Sequence, residues 1–332
     1  MSQTVARVPG TPGAPGSPAP TDGPGRPKQP RWRAYAKLGK LSFFDYYLSA
    51  LVVWTMLPGS YRWSAGTIGT LLVVTVGWIG VCAATVAFDD ITGFRDGSDH
   101  VNYDPAQQLR RRDLKPLLDG TLTLRQALGF GYGALGVGLL ALAVTVLTIA
   151  PHRPPWDLGL MALLVFISVQ YSYGLRLSYH GCQELVLFTS TALVVFVPVP
   201  LITGHATGPA IVQAVLFGLW SVLVSLYSNI KDIEGDRAAG RRTWAVMLPW
   251  RIYRKVIAAV SAAETVVLVV GAVTGAVPWW FPLFLLPVVA LRLRQLIEGL
   301  LLDDPLTARR WGGKAHRLGV VALLAANLVA FH

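Results

Sequence analysis

Two short acidic segments interrupt an otherwise apolar chain. The first reads AFDDITGFRDGSDHVNYD and places Asp89, Asp90, Asp96 and Asp99 at the end of a long apolar run. The second reads LYSNIKDIEGDRAAGRRT and holds Asn229, Asp232, Glu234 and Asp236. If the first helix continues, Asp89 and Asp96 are seven residues apart and share a face. Asp99 follows past Gly97, where the chain can turn. Asn229, Asp232 and Asp236 are spaced three and four, so a helix would carry them on one stripe, with Glu234 pointing elsewhere. Carboxylates at a membrane boundary are costly unless something positive sits among them. Mg²⁺ suits such oxygen ligands, taking one or two carboxylates, several waters and substrate phosphate oxygens. Two carboxylate stripes on different helices, both at one membrane face, predict a shared cavity in which two metal ions hold one polyanion.

The elements that must position these residues are membrane helices. The chain has 332 residues, of which 53% are hydrophobic and only 14% charged, against about 25% charged in an ordinary soluble domain. Apolar runs predict an all-α, polytopic bundle of about nine transmembrane helices, at 41–58, 67–88, 123–150, 156–173, 183–203, 208–230, 253–275, 278–296 and 314–331. Each is near the ~20 residues needed to cross the hydrocarbon. Pro282 and Pro287 interrupt the eighth. With the N-terminus in the cytoplasm, the outer loops hold only Arg62 and Arg153 of 29 basic residues. This asymmetry predicts a multi-pass cell-membrane protein with an inside N-terminus and both acidic segments facing the cytoplasm. Asp89, Asp90, Asp96, Asp99, Asp104, Asp113 and Asp119 follow the second span, and Asp232, Glu234 and Asp236 the sixth. Carboxylates contribute little to topology, so this concentration points to chemistry.

The net charge is +11. Basic helix ends at a membrane account for it, and no nucleic acid is expected as a partner. Cys82 and Cys182 are the only cysteines, too few for a disulfide scaffold or a Cys-based zinc site. Residues 1–34 read as a Pro/Gly-rich cytoplasmic tail, expected to be disordered, and 35–332 as the membrane domain.

The first segment resembles the NDxxDxxxGxD type of Asp-rich motif of the UbiA superfamily of intramembrane prenyltransferases, especially its menaquinone-pathway branch. DIEGDRAAGRRT looks like that family's DxxxD motif with its following G-[KR]-[KR]-T. RRRDLKPLLDGTLTLRQAL is similar to an RPLPSGRIS-like segment, and YSYGLRLSYHGCQEL to the loop after helix four, with Tyr171, Arg176, Gly181 and Glu184 in matching places. The resemblance covers about residues 35–332. Three departures stand out: Asp89 replaces a usual Asn, Gly93 a usual Asp, and Leu175 a common Lys. Asp96 is an extra carboxylate that can take over from the ligand missing at Gly93.

The resemblance implies a Mg²⁺-dependent enzyme with a prenyl diphosphate donor and an aromatic acceptor, such as a phenol, a naphthoate or a quinone precursor. Asp90, Asp99, Asp232 and Asp236 would hold the metal, with Asp89 or Asp96 assisting. Lys115, Arg176, Lys231 and Arg241 would donate to phosphate oxygens, Arg being suited to bidentate contact. Arg110–Arg112 read as membrane anchors. Tyr171, Glu184 and Asn229 complete the expected substrate-binding set. Tyr46, Tyr47, Trp78, Phe88, Tyr171 and Tyr227 are candidates to face an allylic cation. Glu184, Asp45 and Glu264 are candidate bases, whereas His100 and His180 read as surface residues. The altered first motif also admits a terpene cyclase on the same scaffold, in which the donor's own double bond captures the cation. A transporter is disfavoured because its carboxylates would sit near the midplane.

Overall fold

A computed structural model describes residues 30–41, 47–103 and 114–331. The expectations that fall on Asp45, Tyr46, Asp104, Arg110–Arg112, Asp113 and the tail up to residue 29 lie outside the described residues. Within them the chain is helical, with no strand. The main helices are α1 (Arg31–Leu38), α2 (Ser49–Met56), α3 (Ala65–Asp96), α4 (Ser98–Asn102), α5 (Leu124–Val144) and α6 (Pro155–Val169). They continue as α7 (Gln183–Phe196), α8 (Pro198–Thr203), α9 (Gly208–Asn229), α10 (Ile233–Ala238), α11 (Trp250–Val273), α12 (Phe281–Leu296) and α13 (Pro305–Ala330).

Side-chain caps set several helix starts. Ser64 accepts from the amide of Thr67 at the head of α3, and Thr123 and Gln126 form a reciprocal capping box at α5. Thr207 and Asp304 do the same work for α9 and α13. Each expected span contains a helix among the described residues. Five segments are long and apolar enough to cross a membrane: Ala65–Asp96, Leu124–Ile149, Gln183–Thr203, Gly208–Asn229 and Trp250–Val273. Pro155–Val169 is a shorter apolar helix. α2 has 8 residues and α12 has 16, while the first half of α13 carries Arg309, Arg310, Lys314 and Arg317. The expected count of nine spans therefore stands at five by length and apolarity.

α3 packs along α5, α7 against α9, and α12 against α13. α9 lies at the centre, touching α7, α11 and α13, and buries Phe217, Trp220 and Tyr227 almost completely. Its central place carries Asn229, its last residue, to the middle of the end where α3 also finishes. Buried polar ties fix the neighbours. Asn327 of α13 donates to Gln213 of α9 (2.9 Å) and to Thr55 of α2 (3.2 Å). Glu264 of α11 accepts from Arg292 of α12 at 2.9 Å.

Candidate active site

The first acidic segment folds back on itself. α3 continues through Asp96, as the apolar pattern predicts, and stops at Gly97, whose φ of +82° is left-handed. The reversal brings Asp99, on α4, against Gly93. A Cβ at residue 93 would lie 2.8 Å from Asp99 Cγ, so the missing side chain at 93 makes room for this carboxylate. Lys115 Nζ donates to Asp90 Oδ1 at 2.7 Å and to Asp99 Oδ2 at 2.8 Å. Lys40 adds a second ammonium 3.5 Å from Asp90 and 3.9 Å from Asp89. Burial disfavours the charge on Lys115, but Asp90 and Asp99 outweigh it and hold its pKa well above the ordinary lysine value. Burial raises the pKa of Asp99, and the neighbouring Lys115 only partly offsets this. Asp90 Oδ2 is buried and accepts no hydrogen bond.

The second segment does not form one continuous helix. α9 ends at Asn229, a turn covers 230–232, and α10 begins at Ile233. The expected stripe of Asn229, Asp232 and Asp236 is broken in the backbone, yet all three side chains line the same cavity. α10 approaches α4 closely enough that a Cβ at Gly235 would overlap Asn102. Arg241 follows α10 and joins the two acidic segments. Its Nη1 donates to Asp89 Oδ1 at 3.2 Å and its Nε to Tyr179 Oη at 3.1 Å. Tyr179 donates in turn to Asp96, and Ser172 Oγ donates to Asp89 at 2.6 Å. Burial acts against the Arg241 charge, but Asp89 outweighs it and holds the guanidinium above its ordinary pKa.

A cavity of about 790 Å³ runs from these groups into the bundle between α3, α6, α7, α9 and α13. Asp89, Asn229, Asp232, Asp236, Tyr171 and Arg241 line it, joined by Lys40. Its deeper wall includes Trp78, Val81, Val186, Leu187, Val194 and Phe217. The other expected residues stand off the cavity. Asp90, Asp99 and Lys115 form the buried ion-paired cluster behind it. Asp96, expected to replace a ligand lost at Gly93, instead accepts from Ser98, Tyr179 and Arg176. Arg176, expected on phosphate, pairs with Asp96 at 3.5 Å and stacks its guanidinium 3.8 Å from the Tyr179 ring. Lys231 is exposed.

Glu184 accepts from Asn229 Nδ2 and from the Trp244 amide, both at 3.2 Å, and so pins α7 to α9 and to the loop after α10. Glu264 pairs with Arg292 away from this cavity. Neither carboxylate, each a candidate base from sequence, lines the cavity. Of the aromatic candidates, Tyr47, Trp78 and Tyr171 line the cavity, whereas Phe88 stacks on Tyr173 and Tyr227 is buried beside Gly299. Among the described residues, no three Asp, Glu, His or Cys side chains group as a ready metal site. Lysine and arginine side chains occupy the positions between the carboxylates.

Sequence reasoning missed Lys40 and the face that α13 turns to the cavity, which carries Leu306, Arg309, Arg310, Gly313, His316 and Arg317. The signal was present. Positions 306, 309, 310, 313 and 317 follow the three–four spacing of one helix face, with arginines where an apolar stripe would be expected.

The family model for the UbiA prenyltransferase family matches residues 51–318. No curated protein matches the sequence significantly. Solved structures share the fold at low identity. A UbiA homologue from Aeropyrum pernix K1 is 16% identical, with a TM-score of 0.61 over 90% of this chain and 98% of that one. A UbiA homologue from Archaeoglobus fulgidus, bound to GPP and Mg²⁺, is 13% identical, with a TM-score of 0.56 over 90% of this chain and 100% of that one. A structure of digeranylgeranylglyceryl phosphate synthase is 14% identical, with a TM-score of 0.59 over 90% and 99% of the two chains. The family match spans most of the chain and includes both acidic segments and most of the residues that line the cavity: the protein belongs to the UbiA prenyltransferase family.

Proposed function

We propose that the protein is a Mg²⁺-dependent intramembrane prenyltransferase that moves a prenyl group from its diphosphate to an aromatic acceptor. The observation that carries this reading is the single cavity lined by Asp89 from the first acidic segment and by Asp232 and Asp236 from the second. Support also comes from the related fold that binds GPP and Mg²⁺ in the Archaeoglobus protein.

The residues present suit a hard divalent cation. Carboxylate oxygens line the cavity, and one oxygen of Asp90 is buried without a hydrogen-bond donor. Asp89, Asp232 and Asp236 would hold the metal. Asp90 would add its free oxygen while the other stays on Lys115, the ammonium it shares with Asp99. When bound, the metal supplies positive charge that stabilises a departing diphosphate.

The chain's own residues do the rest. Arg241, Arg309 and Arg310 offer guanidinium donors to phosphate oxygens at the same end of the cavity. Tyr171, near Asp89 and Arg241, offers an aromatic ring to an electron-poor allylic carbon, while Trp78 lies deeper along the tail's path. The apolar wall keeps water from that carbon until the acceptor ring captures it. The basic-residue asymmetry supports a cytoplasmic N-terminus and a catalytic end that opens to the cytoplasm.

Product analysis tests this reading. Purified protein in nanodiscs receives Mg²⁺ and C5 to C20 prenyl diphosphates, with and without a panel of aromatic acids, phenols and quinol precursors. A prenylated aromatic formed only when an acceptor is present supports the transferase. A terpene hydrocarbon or alcohol made from the donor alone assigns the cyclase chemistry instead.

A further inference from the structure

We propose that the cavity takes up the whole hydrocarbon of a C15 to C20 prenyl diphosphate, and that Phe217 and Val194 at the end far from the carboxylates set this limit. The proposal rests on the prenyl diphosphate reading above and gives that donor a length. Three helices report the depth independently. The lining runs from Asp89 to Thr75 along α3, from Asn229 to Phe217 along α9, and from Gln183 to Val194 along α7. At a rise of 1.5 Å per residue these stretches are about 21, 18 and 16 Å. One isoprene unit adds four skeletal bonds of ~1.5 Å each, roughly 5 Å along a zigzag chain. Three to four units therefore reach from the carboxylates to the floor.

The floor is filled beyond these residues. Phe217 belongs to a buried cluster that includes Leu71, Val195 and Val199, all further from the carboxylates than Thr75 and Val194 along their own membrane segments. Val194 packs against the neighbouring cluster of Leu193, Val197 and Leu201. A longer chain must fold back or leave the bundle sideways, and a shorter one leaves the floor without contacts. The wall is less polar than its composition suggests. Thr75, Thr85 and Thr191 each donate to a carbonyl one turn back, at 2.6, 2.9 and 2.6 Å. Their hydroxyl protons are spent within the helix and need no partner from the cavity.

The test is a length series. Full-length protein in nanodiscs with Mg²⁺ and the panel of aromatic acids, phenols and quinol precursors is given C5, C10, C15, C20, C25 and C30 diphosphates, and kcat/KM is measured by pyrophosphate release. The value is expected to peak at C15 to C20 and to fall at least about tenfold by C30. Val194→Ala and Phe217→Leu should shift the peak to longer donors. Ser221→Phe fills the wall about 12 Å from Asn229 and should shift the peak to C10. A profile that stays flat beyond C20, a peak at C5 or C10 in the unaltered protein, or a peak unmoved by all three substitutions in monodisperse protein overturns the proposal. Release from no donor of any length would overturn the prenyl diphosphate reading itself, whereas release with the wrong profile overturns only the length assignment.

Discussion

Arg241 reaches Asp89 across 152 positions of sequence, its Nη1 standing 3.2 Å from Asp89 Oδ1. This contact ties the loop after α10 to the last turns of α3, and so joins the two acidic segments. A double-mutant cycle of Arg241→Gln and Asp89→Asn measures the tie. The coupling in thermal stability should be about 0.5–3 kcal/mol. Strict additivity would show that the two segments are held together by other contacts.

Asp96 stands in a different relationship from the one its spacing suggests. It accepts from Ser98, Tyr179 and Arg176 and does not line the cavity. Asp96→Asn should therefore cost about 1 kcal/mol of stability, near the worth of a hydrogen bond. The Mg²⁺ concentration for half-maximal turnover should stay unchanged. A marked rise in that concentration would return Asp96 to the metal.

Much of this was legible in the residues. The apolar runs located the helices, and the carboxylate clusters located the end of the bundle that carries the cavity. Spacing and resemblance single out Asp232, Asp236 and Arg241, all of which line the cavity. Asp90, Asp99 and Lys115 are expected from the sequence to hold metal and phosphate, and spacing does not show their burial in one ion-paired cluster. That cluster depends on a chain reversal at Gly97 and on the space beside Gly93. Spacing along a helix cannot show which carboxylate a distant lysine will reach. The arginines of α13 were missed because charged residues at a helix end read equally well as membrane anchors.

Lys115 holds two buried carboxylates, so Lys115→Met should be costly. Removing one partner of a buried ionic cluster costs about 3–5 kcal/mol. Adding Asp99→Asn should restore part of the loss. The raised lysine pKa fixes the pH dependence. A group with a raised folded-state pKa contributes its full stability below the unfolded value of ~10.4 and loses it as pH rises through the folded value. The stability gap between wild type and Lys115→Met should thus stay constant from about pH 7 to 10 and narrow only above that. A gap that closes by pH 9 would contradict the pairing.

Glu264 tests a negative expectation. Its carboxylate is tied to Arg292 between α11 and α12, apart from the cavity. Glu264→Ala should lower stability by about 3–5 kcal/mol, the cost of breaking a buried pair. Turnover per folded molecule should remain near wild type below the new melting temperature. A specific loss of kcat in folded protein would reinstate Glu264 as a base.

The central claim is that Asp89, Asp232 and Asp236 line one cavity in which a divalent cation assists loss of diphosphate. Pyrophosphate release from farnesyl diphosphate in the presence of the aromatic acceptor panel, titrated with Mg²⁺ and reversed with EDTA, tests it most directly in wild type, Asp232→Ala and Asp236→Ala. The account predicts release only with the metal, and a fall of at least about 100-fold in each variant with the protein still folded. Metal-independent release, or near-normal release in either variant, would contradict it.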